Sequence, residues 1–149
     1  MARRLVDGIT GAGGGFLADT APVIFRVEGA ASAAARACDP VFELVERGEL
    51  SCLVSAVSVA ELFVGAYRAG AASVATMDAF LRQASVGVVA IDEDTAREAA
   101  RLLASGKLRR PSDALIAATA ALLGLPLVTA DRRLARSGAV EALLVTDFA

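Results

Sequence analysis

Apolar residues occur along this chain in two alternating patterns: short unbroken blocks, and faces spaced for a helix. Phe16–Thr20, Ser51–Ala56, Val86–Ile91, Leu125–Thr129 and Ala142–Val145 are short apolar blocks without the polar alternation of a half-solvated strand. They predict a sheet of four to five short strands, buried on both faces. Helical segments lie between them: Ala21–Glu28, Ala31–Ala37, Val41–Arg47, Ser58–Ala69 and Ser73–Ala84, the last with an apolar face at Val74, Met77, Phe80 and Leu81. Pro40 suggests the start of the third of these. Asp92 and Asp94 suit the positive end of a helix running to Ala104, and Pro111–Leu123 is a helix closed by Gly124. Alternation of strand and helix predicts an α/β fold with a parallel sheet covered on both faces. Residues 1–15, with the run GAGGG, read as a flexible leader because glycine brings backbone entropy and no side chain to pack. Residues 16–149 then form a single domain.

Composition narrows the chemistry. Hydrophobic residues make up 56% of 149, so most of the chain is expected to fold around a core. A net charge of −2 rules out a basic field over the whole surface, although local basic patches remain open to the arginines. The chain has no histidine, which excludes Ser-His-Asp and Cys-His catalysis and imidazole zinc sites. Cys38 and Cys52 lack metal-site spacing and read as reduced core residues of a cytoplasmic protein. The longest uncharged run, Ala114–Ala130, is shorter than the ~20 residues that span a bilayer and is broken by Gly124 and Pro126, so no membrane association is expected.

In open parallel sheets, ligands bind beyond the carboxyl ends of the strands. Four carboxylates fall there: Asp19 closing the first strand, Glu61 about one turn past the second, Asp113 opening the helix PSDALIAATA, and Asp131 following the fourth strand. Each has a plain structural account. Asp19 fits a helix N-cap, Glu61 a capping box with Ser58, Asp113 a helix dipole partner and Asp131 a turn. Their shared edge argues for a common role. Clustered carboxylates repel and raise one another's pKa unless a cation neutralises them. Mg²⁺ or Mn²⁺ takes such all-oxygen sites and leaves positions open for phosphate oxygens. Lys107, Arg109 and Arg110 precede Asp113 closely and suit a phosphate clamp; Arg132, Arg133 and Arg136 offer a second, weaker one. Val23, Phe25, Phe42 and Leu44 suit either core packing or a dimer surface.

The segments FLADTAPVIF, VSAVSVAELFVGAY and RRPSDALIAATAALLGLPLVTADRRL together resemble the PIN-domain ribonucleases, especially VapC-type toxins of toxin–antitoxin pairs. The resemblance runs from about Phe16 to the C-terminus. It implies a three-layer α/β/α fold with a central parallel sheet, and a Mg²⁺-dependent endoribonuclease activity. It maps the acidic site onto Asp19, Glu61, Asp113 and Asp131, with Thr20 or Thr129 as a nearby hydroxyl. It also implies an RNA substrate, a VapB-type antitoxin partner and a homodimer. The chain departs from the pattern in its leader and in DTAP after the first strand, which leaves the metal-binding Asp19 in place. The competing class is a catalytically silent RNA-binding or interaction domain of the same fold. Receiver domains, D-x-D phosphatases and Rossmann units do not fit, because adjacent acids, the second Asp and a glycine loop after the first strand are all missing.

Overall fold

The computed structural model describes residues 3–149. Five strands, β1 (Gly15–Ala18), β2 (Ser51–Ser55), β3 (Val86–Val89), β4 (Leu127–Thr129) and β5 (Ala142–Leu144), form one sheet in the order β3-β2-β1-β4-β5. All pairings are parallel, with Phe16 opposite Cys52, Val54 opposite Val88, Ala18 opposite Val128, and Val128 opposite Leu143. Parallel neighbours need crossovers, and helices supply them. α1 (Leu5–Gly11) precedes β1. α2 (Thr20–Glu28) and α3 (Ala33–Glu46) lead to β2, and α4 (Ala56–Ala69) and α5 (Ala71–Leu81) lead to β3. α6 (Glu93–Ala104) and α7 (Pro111–Leu123) lead to β4, and the short α8 (Arg132–Ala135) leads to β5.

Alternation along the strands splits the interior in two. Phe16, Ala18, Cys52, Val54 and Val128 face a core shared with helices of the first half, including Val23, Phe42, Leu62, Met77 and Phe80. Phe42 sits edge-on to both Phe16 and Phe80, with ring centroids 6.3 and 5.8 Å apart. Leu17 and Leu127 face the opposite core, built with Leu102 of α6 and Ile116 and Ala117 of α7. One core on each face of one sheet makes a three-layer α/β/α fold. From the central strand β1 the chain moves outward to β2 and β3, then crosses back to β4 and β5. The reversal places a crevice beside the carboxyl end of β1.

Several sequence expectations need correction. Residues 5–11 are not a structureless leader: they form α1, with Leu5 2% and Ile9 0% exposed in the first core. Their spacing of four puts both on one helix face. Gly13 and Gly14, at φ 107° and 87°, then turn the chain into β1. Residues 1 and 2 lie outside the described residues. The two helices expected on either side of Pro40 are one, α3, capped by Ser32 Oγ accepting from Ala35 N at 3.1 Å. Its buried face, Ala35, Cys38, Val41, Phe42 and Val45, continues past Pro40, which is exposed. Burying that face outweighs the ~3 kcal/mol that an interior proline costs. α8 is unanticipated. Val23 and Phe42 are core residues, while Phe25 and Leu44 are half-buried against the same core. Both cysteines are free and buried, and burial pushes each thiol up to about 12. No described helix is long and apolar enough to cross a membrane.

Candidate active site

Asp19 is where β1 stops. Its side chain caps α2, with Oδ1 accepting from Thr20 N at 2.8 Å. The other oxygen, Oδ2, accepts from Thr129 Oγ1 at 2.7 Å, at the end of the neighbouring strand β4. Thr129 Oγ1 also accepts from Asp131 N at 3.0 Å. One hydroxyl thus ties the Asp19 carboxylate to the backbone of Asp131. Asp19 is only 9% exposed. Burial raises its carboxyl above the usual range, the hydrogen bonds from Thr129 and Thr20 N–H pull it back down, and the charges of Glu61 and Asp131 push it up again.

Glu61 is exposed, and the capping box expected with Ser58 does not form. α4 begins earlier than the sequence suggested, at Ala56, and Ser55 caps it by accepting from Val57 N at 3.2 Å. Ser58 therefore lies inside the helix, fully buried. The Glu61 carboxylate instead reaches across to α2, where Thr20 Oγ1 donates to Oε1 at 3.0 Å. Ser58 Oγ stands 3.1 Å from the same Thr20 oxygen. Thr20 has one proton for two acceptors, and the carboxylate is the stronger one. Asp19 and Thr20 are consecutive, so Glu61 is held beside the Asp19 end of the crevice.

Asp113 is the third residue of α7, which Pro111 opens, and it is half-buried. Its carboxyl is also raised, first by burial, then by the charges of Asp131 and Asp19; Arg110 opposes this and Glu61 adds to it. Asp131 caps α8, with Oδ1 accepting from Arg133 N at 2.9 Å and Leu134 N at 3.1 Å. Asp113 and Asp131 line one hollow of about 370 Å³ with Lys107, Arg109, Arg110 and Arg133. Glu61 lies instead on the wall of a separate, mostly apolar groove of about 320 Å³ between α2, α4 and α5, lined by Ile24, Leu62 and Met77 among others.

The four carboxylates therefore share one edge and feel one another's charge, but they are not gathered at a point. Among the described residues, no three His, Cys, Asp or Glu side chains stand where one ion would bind them together. In kind, the donor set fits a hard divalent cation: all four are oxygen donors. None of the four forms a salt bridge among the described residues, although the charge of Arg110 acts on Asp113 from nearby. The sequence left Thr129 as one of two hydroxyl candidates. The structure uses both, Thr129 for Asp19 and Thr20 for Glu61. Arg133 moves from the weaker basic segment into the same hollow as Arg109 and Arg110.

Residues 28–139 match the family profile of the PIN domain. A chain in the structure of VapBC2 from Rickettsia felis bound to a promoter DNA fragment superposes with a TM-score of 0.69 at 15% identity, over 87% of this chain and 98% of that one. A chain of DNA-bound VapBC from Salmonella typhimurium gives 0.68 at 23% identity, over 87% and 97%. One from the toxin–antitoxin system VapBC-5 of Mycobacterium tuberculosis gives 0.56 at 27%, over 88% and 98%. No curated protein sequence matches the chain.

Proposed function

The chain belongs to the PIN domain family, and on that premise we propose that it is a Mg²⁺-dependent endoribonuclease, the toxin of a toxin–antitoxin pair. The observation that carries this reading is the acidic edge. Four elements deliver Asp19, Glu61, Asp113 and Asp131 to the same end of one parallel sheet, and two of them are held there by hydroxyls. Asp19 and Asp113 are pushed toward neutrality by burial and by their acidic neighbours. Folding a chain around such repulsion is unfavourable, and a divalent cation converts it into a gain. A bound Mg²⁺, or Mn²⁺, supplies an activated water and neutralises charge on the scissile phosphate. Asp19, Glu61, Asp113 and Asp131 would supply its ligands between them, some directly and the others through water, since no three of them converge on one point. Thr129 fixes the ligating orientation of Asp19, and Thr20 does the same for Glu61.

Similar structures include VapBC complexes from several bacteria, which supports a VapB-type antitoxin as partner, and we place the action of the pair in the cytoplasm. We expect the toxin to be a homodimer, and a monomeric mass in light scattering at micromolar concentration overturns that part. The deciding experiment incubates purified protein with a labelled RNA and Mg²⁺. The expected result is internal cleavage, abolished by EDTA and by Asp19→Asn. The spread of the carboxylates favours one alternative, a silent RNA-binding domain. Binding without Mg²⁺-dependent cleavage would establish it.

A further inference from the structure

The two flanks of the acidic edge differ in character. On the α2/α4/α5 side, the groove floor is apolar and its only charged lining residues, Glu28 and Glu61, are acidic. On the α6/α7/α8 side, Lys107, Arg109, Arg110 and Arg133 surround Asp113 and Asp131 in one hollow. All four basic residues are exposed, and none is in a salt bridge among the described residues. Four cations against two carboxylates leave this hollow locally positive on a chain whose net charge is −2. Exposed arginines are normally scattered or paired with acids. Here three of them converge from two separate segments, the α6–α7 connection and α8, onto the wall that also holds two of the four acids.

We infer that a nucleic acid strand crosses this site asymmetrically. Its phosphodiester backbone is gripped only on the α6/α7/α8 side, by Arg109, Arg110 and Arg133 as positioning residues with Lys107 at the rim. The α2/α4/α5 groove takes no phosphate. This rests on the nuclease reading and adds to it the direction from which the backbone is held. Arginine suits the task because its planar fork engages two phosphate oxygens at once, whereas the apolar groove with Glu28 and Glu61 repels a polyanion. The inclusion of Arg133 is a structural result. It is separated from Arg109 by the whole of α7 and β4, yet both line the same wall.

The test measures binding of a single-stranded oligoribonucleotide in EDTA, where no cleavage occurs and no divalent ion competes. Each phosphate contact on a single strand contributes about −0.7 to the slope of log affinity against log salt. Four contacts predict an affinity loss of about 50-fold between about 50 and 200 mM salt, and the triple variant Arg109→Gln, Arg110→Gln, Arg133→Gln a loss of only about threefold. Restoring charge with Arg→Lys at the same positions should restore the slope, because a point charge still displaces counterions. Neutralising Glu28 as Glu28→Gln on the opposite groove should leave it unchanged. A triple variant with the wild-type slope overturns the inference, and the basic wall then belongs to an acidic protein partner. A steeper response to Glu28→Gln than to the triple variant overturns it as well. The nuclease reading stands or falls separately, on Mg²⁺-dependent cleavage by the unmodified protein. If that protein cleaves while the slopes refute the clamp, only the clamp is lost.

Discussion

At the scale of single residues, the site depends on hydroxyls that hold carboxylates in place. Asp19 is buried, its carboxyl is raised from an ordinary 3.8, and burial is the largest cause. At neutral pH the ionised group therefore works against folding. Asp19→Asn should be the more stable protein at pH 7 in a denaturant titration while losing more than about 100-fold in cleavage, the upper end of what removal of a supporting residue costs a metal site. The sign with pH follows from the raised value. As pH falls through the folded pKa toward 3.8, wild type takes up its proton and recovers that cost, so the advantage of the variant should shrink and vanish near the unfolded value. A stability gain that is constant with pH would mean the Asp19 charge is not its source. Thr129→Val removes the donor to Asp19 Oδ2 and the acceptor for Asp131 N while keeping the shape. It should cost about 1–3 kcal/mol, with Thr129→Ser near wild type. An unchanged unfolding midpoint in Thr129→Val would remove the hydroxyl from the account. What the sequence hid at this scale was the direction in which Glu61 points. Ser58-x-x-Glu61 has the form of a capping box, but Ser55 takes the cap one turn earlier, and only the packing of α2 against α4 brings Thr20 within reach.

At the scale of elements, the helix bounded by the strongest local signals was fully legible: Pro111 opens α7 and Gly124, at φ 66°, closes it at the expected positions. The short parallel strands were also legible, because burial on both faces leaves continuous apolar runs. Two elements were not. α3 continues through Pro40 because tertiary burial of one face overrides a local breaker. α1 was obscured by the glycines beside it: Leu5, Val6 and Ile9 are only three aliphatic positions, too few to outweigh GAGGG without the core they enter. α1 can be tested directly. Ile9→Ala should destabilise the whole protein by about 2–5 kcal/mol, as for other fully buried aliphatic side chains. A change below about 0.5 kcal/mol would return this segment to the status of a loose leader.

At the scale of the whole molecule, the unpaired acids predict that metal and fold are coupled. Mg²⁺ at about 100 times its dissociation constant should add about 2.7 kcal/mol of stability, read as a rise in Tm that Asp19→Asn largely abolishes. A Tm insensitive to Mg²⁺ and Mn²⁺ alike would separate the acids from any cation. The hydrogen bond between Thr129 and Asp19 has a consequence for how the protein is made. It joins residues 110 positions apart, and Asp113 and Asp131 also come from the last third of the chain. The sheet half built from β1, β2 and β3 has only nearby crossovers to close, whereas the β1–β4 seam waits for the α6–α7 pair and for β4 itself. On the ribosome, which releases chain from the N-terminus, the acidic edge lacks two of its four members until the last third of the chain has emerged. If the four acids act together as proposed, the nascent chain has no complete site until its final strands dock, and that leaves an interval in which a neutralising partner can already be waiting.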